Sequence, residues 1–146
     1  IGWLVANEEL IEEIWAHKDY TSLCASVLSQ EIAIKIMEKK TRSQVLSRSS
    51  EMLKNNLKLF QSWLDSHTGL FTFVPPQAGG MAFVGYAMNI NSMELAHKLR
   101  TEQSVLIVPG DCYGMDGYLR FGIGSHADYL SQGLELASKG IKSIGC

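Results

Sequence analysis

The sequence is short of several things, and each shortage excludes something. Its 146 residues hold three cysteines, Cys24, Cys112 and Cys146, an odd number at wide spacing. That is no disulfide framework, and it suits a reducing, cytoplasmic setting. Zinc sites want ligands about two to five residues apart. His126 lies too far from Cys112, and His17, His67 and His97 stand alone, so no metal site is expected. Excess charge of one sign is also missing: 13 basic against 15 acidic side chains leave a net −2. Nucleic acid and anionic membranes are therefore not expected as partners of this segment, because both are held through a basic surplus. No apolar run approaches the roughly 18 residues of a membrane span. Glu8, Glu9, Glu12 and Glu13 stand where a secretory signal would carry its basic residues.

What is present is a chain of 46% hydrophobic residues. At this size a domain can bury roughly 68–70% of its unfolded surface, so a core without disulfide staples is within reach. The chain opens on Ile1 rather than Met, and Ile-Gly-Trp-Leu-Val-Ala reads as a buried strand already under way. A piece of a longer protein is the expectation from that reading.

Along the chain, Asn7 is placed to cap a helix whose first turn holds Glu8 and Glu9 and whose stripe is Leu10, Ile11, Ile14 and Trp15. The loop Asp19 to Ser22 is expected to supply the next cap. Residues 23–38 are apolar on nearly every side, which predicts a helix sandwiched between layers and closed by Lys39-Lys40. Thr41-Arg42-Ser43-Gln44 fits a capping box opening a long helix, striped by Leu46, Leu53, Leu57, Phe60 and Leu64, that ends near His67. Beyond Gly69 the pattern becomes strand-like: 70–74, a Gly79-Gly80 turn, 81–88, then 104–108 halted by Pro109-Gly110, and 118–124. A helix capped by Asn91 and Glu94, with a buried face of Met93, Ala96 and Leu99, interrupts them. The last helix is expected from a Ser125-x-x-Asp128 cap, with Ala127, Leu130, Leu134 and Ala137 inward and Gly140 as its stop. The order is β, three helices, then β-β-α-β-β-α. That is an α/β to α+β chain whose second half carries a small, mostly antiparallel sheet. Trp3, Trp15 and Trp63 read as core or helix-packing residues.

Four segments, in this order, resemble the class I/II pyridoxal-phosphate-dependent aminotransferases of the aspartate aminotransferase type, known as fold type I. They are Ile1-Gly2-Trp3, Pro76-x-x-Gly79-Gly80-x-x-Phe83, the run Glu102 to Gly110, and Tyr118-Leu119-Arg120-Phe121-Gly122. The resemblance covers essentially the whole chain. It implies that 1–21 would close the large cofactor-binding domain, 22–67 would form interdomain helices, and 68–146 would make up the small C-terminal domain. The cofactor would be pyridoxal 5'-phosphate and the substrates an amino acid and a 2-keto acid, in an enzyme that is a homodimer. The family's Schiff-base lysine would lie before Ile1, and no lysine of this chain takes that role. The fragment alone is expected to be inactive.

The same resemblance places the arginine that clamps the substrate α-carboxylate at Arg120. The chemistry suits it, since a planar guanidinium gives a carboxylate two parallel charged hydrogen bonds. Alternation puts Leu119, Phe121 and Ile123 inward, with Tyr118, Arg120 and Gly122 on the other face, where Gly122 leaves room for a ligand. By alternation alone Arg120 would read as a solubilising charge. Tyr20, Thr21 and Ser22 correspond to a loop that reaches the neighbouring subunit's site in related dimers, although helix capping explains Thr21 or Ser22 as well. Gly79 and Gly80 would bring backbone close to substrate, or simply make a tight turn. Pro109-Gly110 is expected to shape the approach to Arg120, and Cys112 to be incidental. Arg42, Arg48 and Arg100 fall on helices, which disfavours a dicarboxylate substrate. The alternatives are another fold-type-I enzyme (a decarboxylase or lyase), the aminotransferase-like effector domain of a transcription regulator, or a non-catalytic structural domain.

Overall fold

The computed structural model describes residues 1–144, so Cys146 lies outside the described residues. The chain divides into two compact units, residues 1–48 and residues from Ser49 onward.

In the first unit, residues 1–7 form no strand. A strand exists through its ladder, and these residues find no pairing partner, so Trp3 and Val5 are exposed. Helix α1 runs Glu8–Lys18, and Asn7 caps it as expected: its side-chain oxygen accepts from the Leu10 N–H at 3.1 Å. The following loop caps α1 rather than its successor, because the Thr21 hydroxyl donates to the Lys18 carbonyl and Lys18 Nζ donates to Ser22 Oγ. Helix α2 spans Val27–Met37 after Ser26, which makes no side-chain cap. The expected burial of this helix does not occur, and Val27, Leu28 and Ile34 are exposed. The unit's two short helices offer too little facing surface to cover them. Trp15 is likewise exposed rather than packed. Helix α3, Lys39–Asp65, begins one residue after the end of α2. Lys39 and Lys40 are therefore its first turn, and Thr41 lies inside it with no capping box; the Glu38 carbonyl takes the first bond, from the Arg42 N–H at 2.8 Å.

The second unit holds the core. Its strands are β1 (Phe71–Phe73), β2 (Met81–Tyr86), β3 (Val108–Pro109) and β4 (Tyr118–Gly122), all antiparallel, in the order β1-β2-β4-β3. Helices α4 (Ser92–Gln103) and α5 (Ala127–Ser143) pack with the end of α3 on one face. Phe60 of α3 is fully buried, its ring centroid 5.6 Å from that of Phe73 and 5.1 Å from that of Phe121. Trp63 joins them and donates its indole N–H to Ser138 Oγ at 2.8 Å.

Several local expectations give way to packing. Of 104–108 only Val108 joins the sheet, because Ser104 closes α4 in a left-handed conformation and the Val105 N–H bonds back to Leu99. Pro109 pairs with Leu119 instead of stopping the strand, which an edge strand tolerates. On α4, Leu95 is buried with Ala96 and Leu99 while Met93 is exposed; Glu94 pairs with Lys98 rather than completing a cap. Helix α5 starts after His126 with no side-chain cap from Ser125, leaves Ala127 exposed and runs past Gly140. Gly140 is there for contact: a Cβ on it would come within 2.6 Å of Leu99 Cδ2.

One buried polar residue on α3 ties these layers together. Asn56 is 1% exposed and donates through Nδ2 to the carbonyls of Ile123 and Ser125, both at 2.7 Å. This fixes the exit of β4 to the long helix. Asn56→Leu strips both carbonyls of their donor, so a loss of about 1–3 kcal/mol in unfolding free energy is expected by urea titration. A stability equal to the parent's would show that water replaces the amide.

Candidate functional site

Strand β4 is an inner strand, and its alternation is strict. Leu119, Phe121 and the following Ile123 are buried, while Arg120 lies on the opposite face, beside Phe83 of β2 and Val108 of β3 in register. Arg120 is the sheet's single cation. Beside it Gly122 is open, since a Cβ there would meet nothing within 4 Å. Tyr118 lies across Gly85, where a Cβ would fall 3.2 Å from the Tyr118 ring, and stacks on Phe83 at 5.0 Å with 8° between planes. Tyr113 arrives from the 3-10 turn Gly110–Tyr113. It stands edge-on to Phe83 at 5.9 Å, and the Arg120 guanidinium carbon lies 5.6 Å from the centre of its ring. Among the described residues no carboxylate lies within ion-pair distance of Arg120. A guanidinium steadied by a ring face, with open space alongside, keeps its N–H fork free, and that fork has the geometry to give a carboxylate two parallel hydrogen bonds.

The segment carrying Tyr113 is fastened to the start of α4. Asn91 caps α4 by accepting from the Met93 N–H, and donates through Nδ2 to Asp111 Oδ2 at 2.7 Å. Ser92, fully buried, accepts the Asp111 N–H on its hydroxyl at 3.1 Å and donates its own N–H to Asp116 Oδ1 at 2.7 Å. The Gly117 N–H donates to the same oxygen. These amides, Ser92 first, hold the Asp116 carboxyl below its ordinary range. Gly110 permits the tight loop, because a Cβ on it would overlap the Met115 carbonyl oxygen.

Tyr86 sits beside this network and donates its hydroxyl to the Ile90 carbonyl at 2.8 Å. Burial, reinforced by Asp116 and Asp111, pushes its phenol up to about 12. The folded state thus favours the neutral phenol, whereas the unfolded chain titrates near 10. The stabilisation is complete below about pH 10 and is lost as pH rises toward 12. Alkaline unfolding followed by circular dichroism should therefore steepen in that window, and Tyr86→Phe should flatten it. An unchanged slope in the variant would exclude the phenol as the cause.

The other residues expected at the site are distributed as follows. Gly79 takes φ +88° and is open, whereas Gly80 packs against Leu53 and Gly124 and accepts the Ile123 N–H on its carbonyl. Both precede Met81, which pairs with Gly122. Tyr20, Thr21 and Ser22 belong to the first unit, and Tyr20 is exposed. Cys112 is an exposed thiol in the 3-10 turn. Sequence reasoning put Tyr118 on the face of Arg120, but missed Tyr113 and Phe83 as its neighbours, and Asn91, Ser92, Asp111 and Asp116 as one network. The only signal was two aspartates flanking a glycine-rich loop. A cavity of about 250 Å³ between α5 and residues 104–107 has no charged side chain in its lining and so offers a carboxylate no counter-charge. Among the described residues no group of His, Cys, Asp or Glu is arranged to hold a metal, and no helix is long and apolar enough to cross a membrane. Every lysine lies on a helix and none on the Arg120 sheet, so that sheet offers no side-chain amine for the covalent anchorage of pyridoxal phosphate.

Residues 1–135 match the family described as aminotransferase class I and II. The chain belongs to this family. Among its relatives are capreomycidine synthase of Streptomyces vinaceus, 25% identical over 139 residues that make up 95% of this chain and 35% of that protein. Another is the (5-formylfuran-3-yl)methyl phosphate transaminase of Methanocaldococcus jannaschii, 26% identical over 92% of this chain and 36% of that protein. A crystal structure of a PLP-dependent aminotransferase from Streptococcus suis superimposes with a TM-score of 0.85 at 27% identity, covering 99% of this chain and 38% of that one. The chain thus spans little more than a third of the length of these relatives.

Proposed function

We propose that this chain is the C-terminal portion of a pyridoxal-phosphate-dependent aminotransferase and holds the α-carboxylate of an amino-acid substrate on Arg120. The observation that carries the reading is the Arg120 guanidinium, with no counter-ion among the described residues, over Tyr113 and beside open Gly122. When bound, the cofactor supplies the electron sink for chemistry at the substrate Cα. This chain contributes orientation. Two parallel N–H donors fix the carboxylate plane, and with it which Cα bond is presented for cleavage. Lysine anchor and proton carrier are assigned to a part of the enzyme beyond these residues, so the 146-residue chain by itself transfers no amino group. The relative named as a transaminase favours amino transfer over decarboxylation or elimination, which the same arginine would serve. The lack of a second cation on the sheet favours substrates with one carboxylate over dicarboxylates. A homodimer is consistent with the apolar surface of the first unit.

Arg120→Lys in the intact enzyme tests the assignment. The fork becomes a point charge, so KM for amino acids should rise about tenfold or more, the cost of one charge-assisted hydrogen bond. Binding of the corresponding amine lacking the α-carboxylate should not change. Equal losses for the acid and the amine would place Arg120 outside carboxylate recognition.

A further inference from the structure

We propose that Asp116 is a positioning residue for the carboxylate clamp: bridging the start of α4 and the loop 110–117, it holds the Tyr113 ring against the Arg120 guanidinium. The inference rests on the assignment of Arg120 given above. Tyr113 is half-exposed, and its ring has two aromatic or cationic neighbours, the edge of Phe83 and the Arg120 side chain. No core packing fixes it, so its position follows from its backbone. That backbone is tied down on both sides. Before it, Asp111 takes a bond from Asn91 at 2.7 Å and gives its N–H to Ser92 Oγ at 3.1 Å. After it, Asp116 Oδ1 accepts from the N–H groups of Ser92 and Gly117, both at 2.7 Å. The turn closes on itself through Gly114 N–H to Asp111 and Met115 N–H to Gly110.

Simple helix capping does not account for the arrangement. Asn91 already accepts the Met93 N–H, and a cap needs no partner in a distant loop. Asp116 instead accepts one amide from the helix start and one from the loop, through a single oxygen. Ser92 is fully buried and uses both its N–H and its hydroxyl toward that loop. The network therefore transmits the position of α4, packed in the core through Leu95 and Leu99, to a ring at the open face.

Steady-state kinetics of the intact enzyme test the proposal. Asp116→Ala and Tyr113→Leu should each raise KM for the amino acid about 3- to 30-fold, the range that loss of a cation–π contact spans, with kcat within about twofold. Because both act on one ring, the double variant should be no worse than the poorer single variant. Asp116→Asn keeps an acceptor oxygen and should recover most of the loss. Multiplying effects in the double variant, or a lower melting temperature with KM unchanged, would overturn the proposal. Should Asp116→Ala fail to fold, Asp116→Ser, whose shorter side chain keeps a polar atom but does not span the Ser92 and Gly117 amides, is read the same way: a raised KM supports the proposal and an unchanged one overturns it. Arg120→Lys run in parallel separates the two readings. If it raises KM while Asp116→Ala or Asp116→Ser does not, only the positioning role falls; if Arg120→Lys itself leaves KM unchanged, the carboxylate assignment falls and takes this role with it.

Discussion

Arg120→Ala in the intact enzyme is expected to lower kcat/KM for an amino acid by about two to three orders of magnitude. A hydrogen bond to a charged group contributes about 1.5–3 kcal/mol, and the guanidinium can make two to one carboxylate. The half-exposed position of Arg120 lets water compete, which favours the lower half of the combined range, about 3–4 kcal/mol. At about 1.4 kcal/mol per decade this gives the stated loss. On the proposed assignment most of it should appear in KM, because the carboxylate would be held in the ground state as well as in the transition state. A smaller fall in kcat is expected where the carboxylate plane also selects the bond at Cα. Arg120→Lys should lie between parent and alanine variant. A loss below about threefold for alanine would assign the carboxylate to another cation.

The second large effect concerns the core beneath that arginine. Phe60→Ala is expected to lower the unfolding free energy by about 3–5 kcal/mol, seen as a lower urea midpoint with unchanged slope. Phe60 is fully buried, and its aromatic neighbours come from three elements: Trp63 from its own helix, Phe73 from β1 and Phe121 from β4. Those neighbours cannot all move into the void. The sheet register fixes β1 and β4, and Asn56 pins the end of β4 to α3 one turn earlier. A large residual cavity follows, which sets the cost near the top of the range for aromatic truncation. Phe60→Leu should cost roughly half as much. A loss below about 1 kcal/mol for alanine would mean that the helix settles onto the sheet. Phe121 also adjoins Arg120 in the strand, so a loosened core should raise KM for the amino acid as well.

What could be read in advance followed from short-range rules. Asn7 and Asn91 are caps in fact, because a side-chain acceptor beside free N–H groups acts within a few residues. Strict alternation along 118–123 put Leu119, Phe121 and Ile123 in the core and Arg120 opposite them, since a pleated strand allows nothing else. Errors gathered where distant contacts decide. Gly140 looked like a helix stop, yet it serves the close approach of Leu99, some forty residues away in the chain. Met93 looked inward on α4, but the sheet meets the helix through Leu95 and Leu99. Residues 1–6 had the composition of a buried strand and found no ladder.

By itself the sequence determined the order of elements from α1 onward, the antiparallel character of the second unit, the face of Arg120 and, through ordered motifs, the aminotransferase family. These depend on local periodicity and on spacing along the chain. Tertiary structure alone decided what surrounds Arg120. It brought Tyr113 under the guanidinium, stacked Phe83 on Tyr118, buried Asn56 against the exit of β4, and joined Asn91, Ser92, Asp111 and Asp116 into one brace. Those residues are separated by twenty or more positions in most of their pairings. Such contacts depend on sheet register and helix packing, and no pattern within a single segment encodes them.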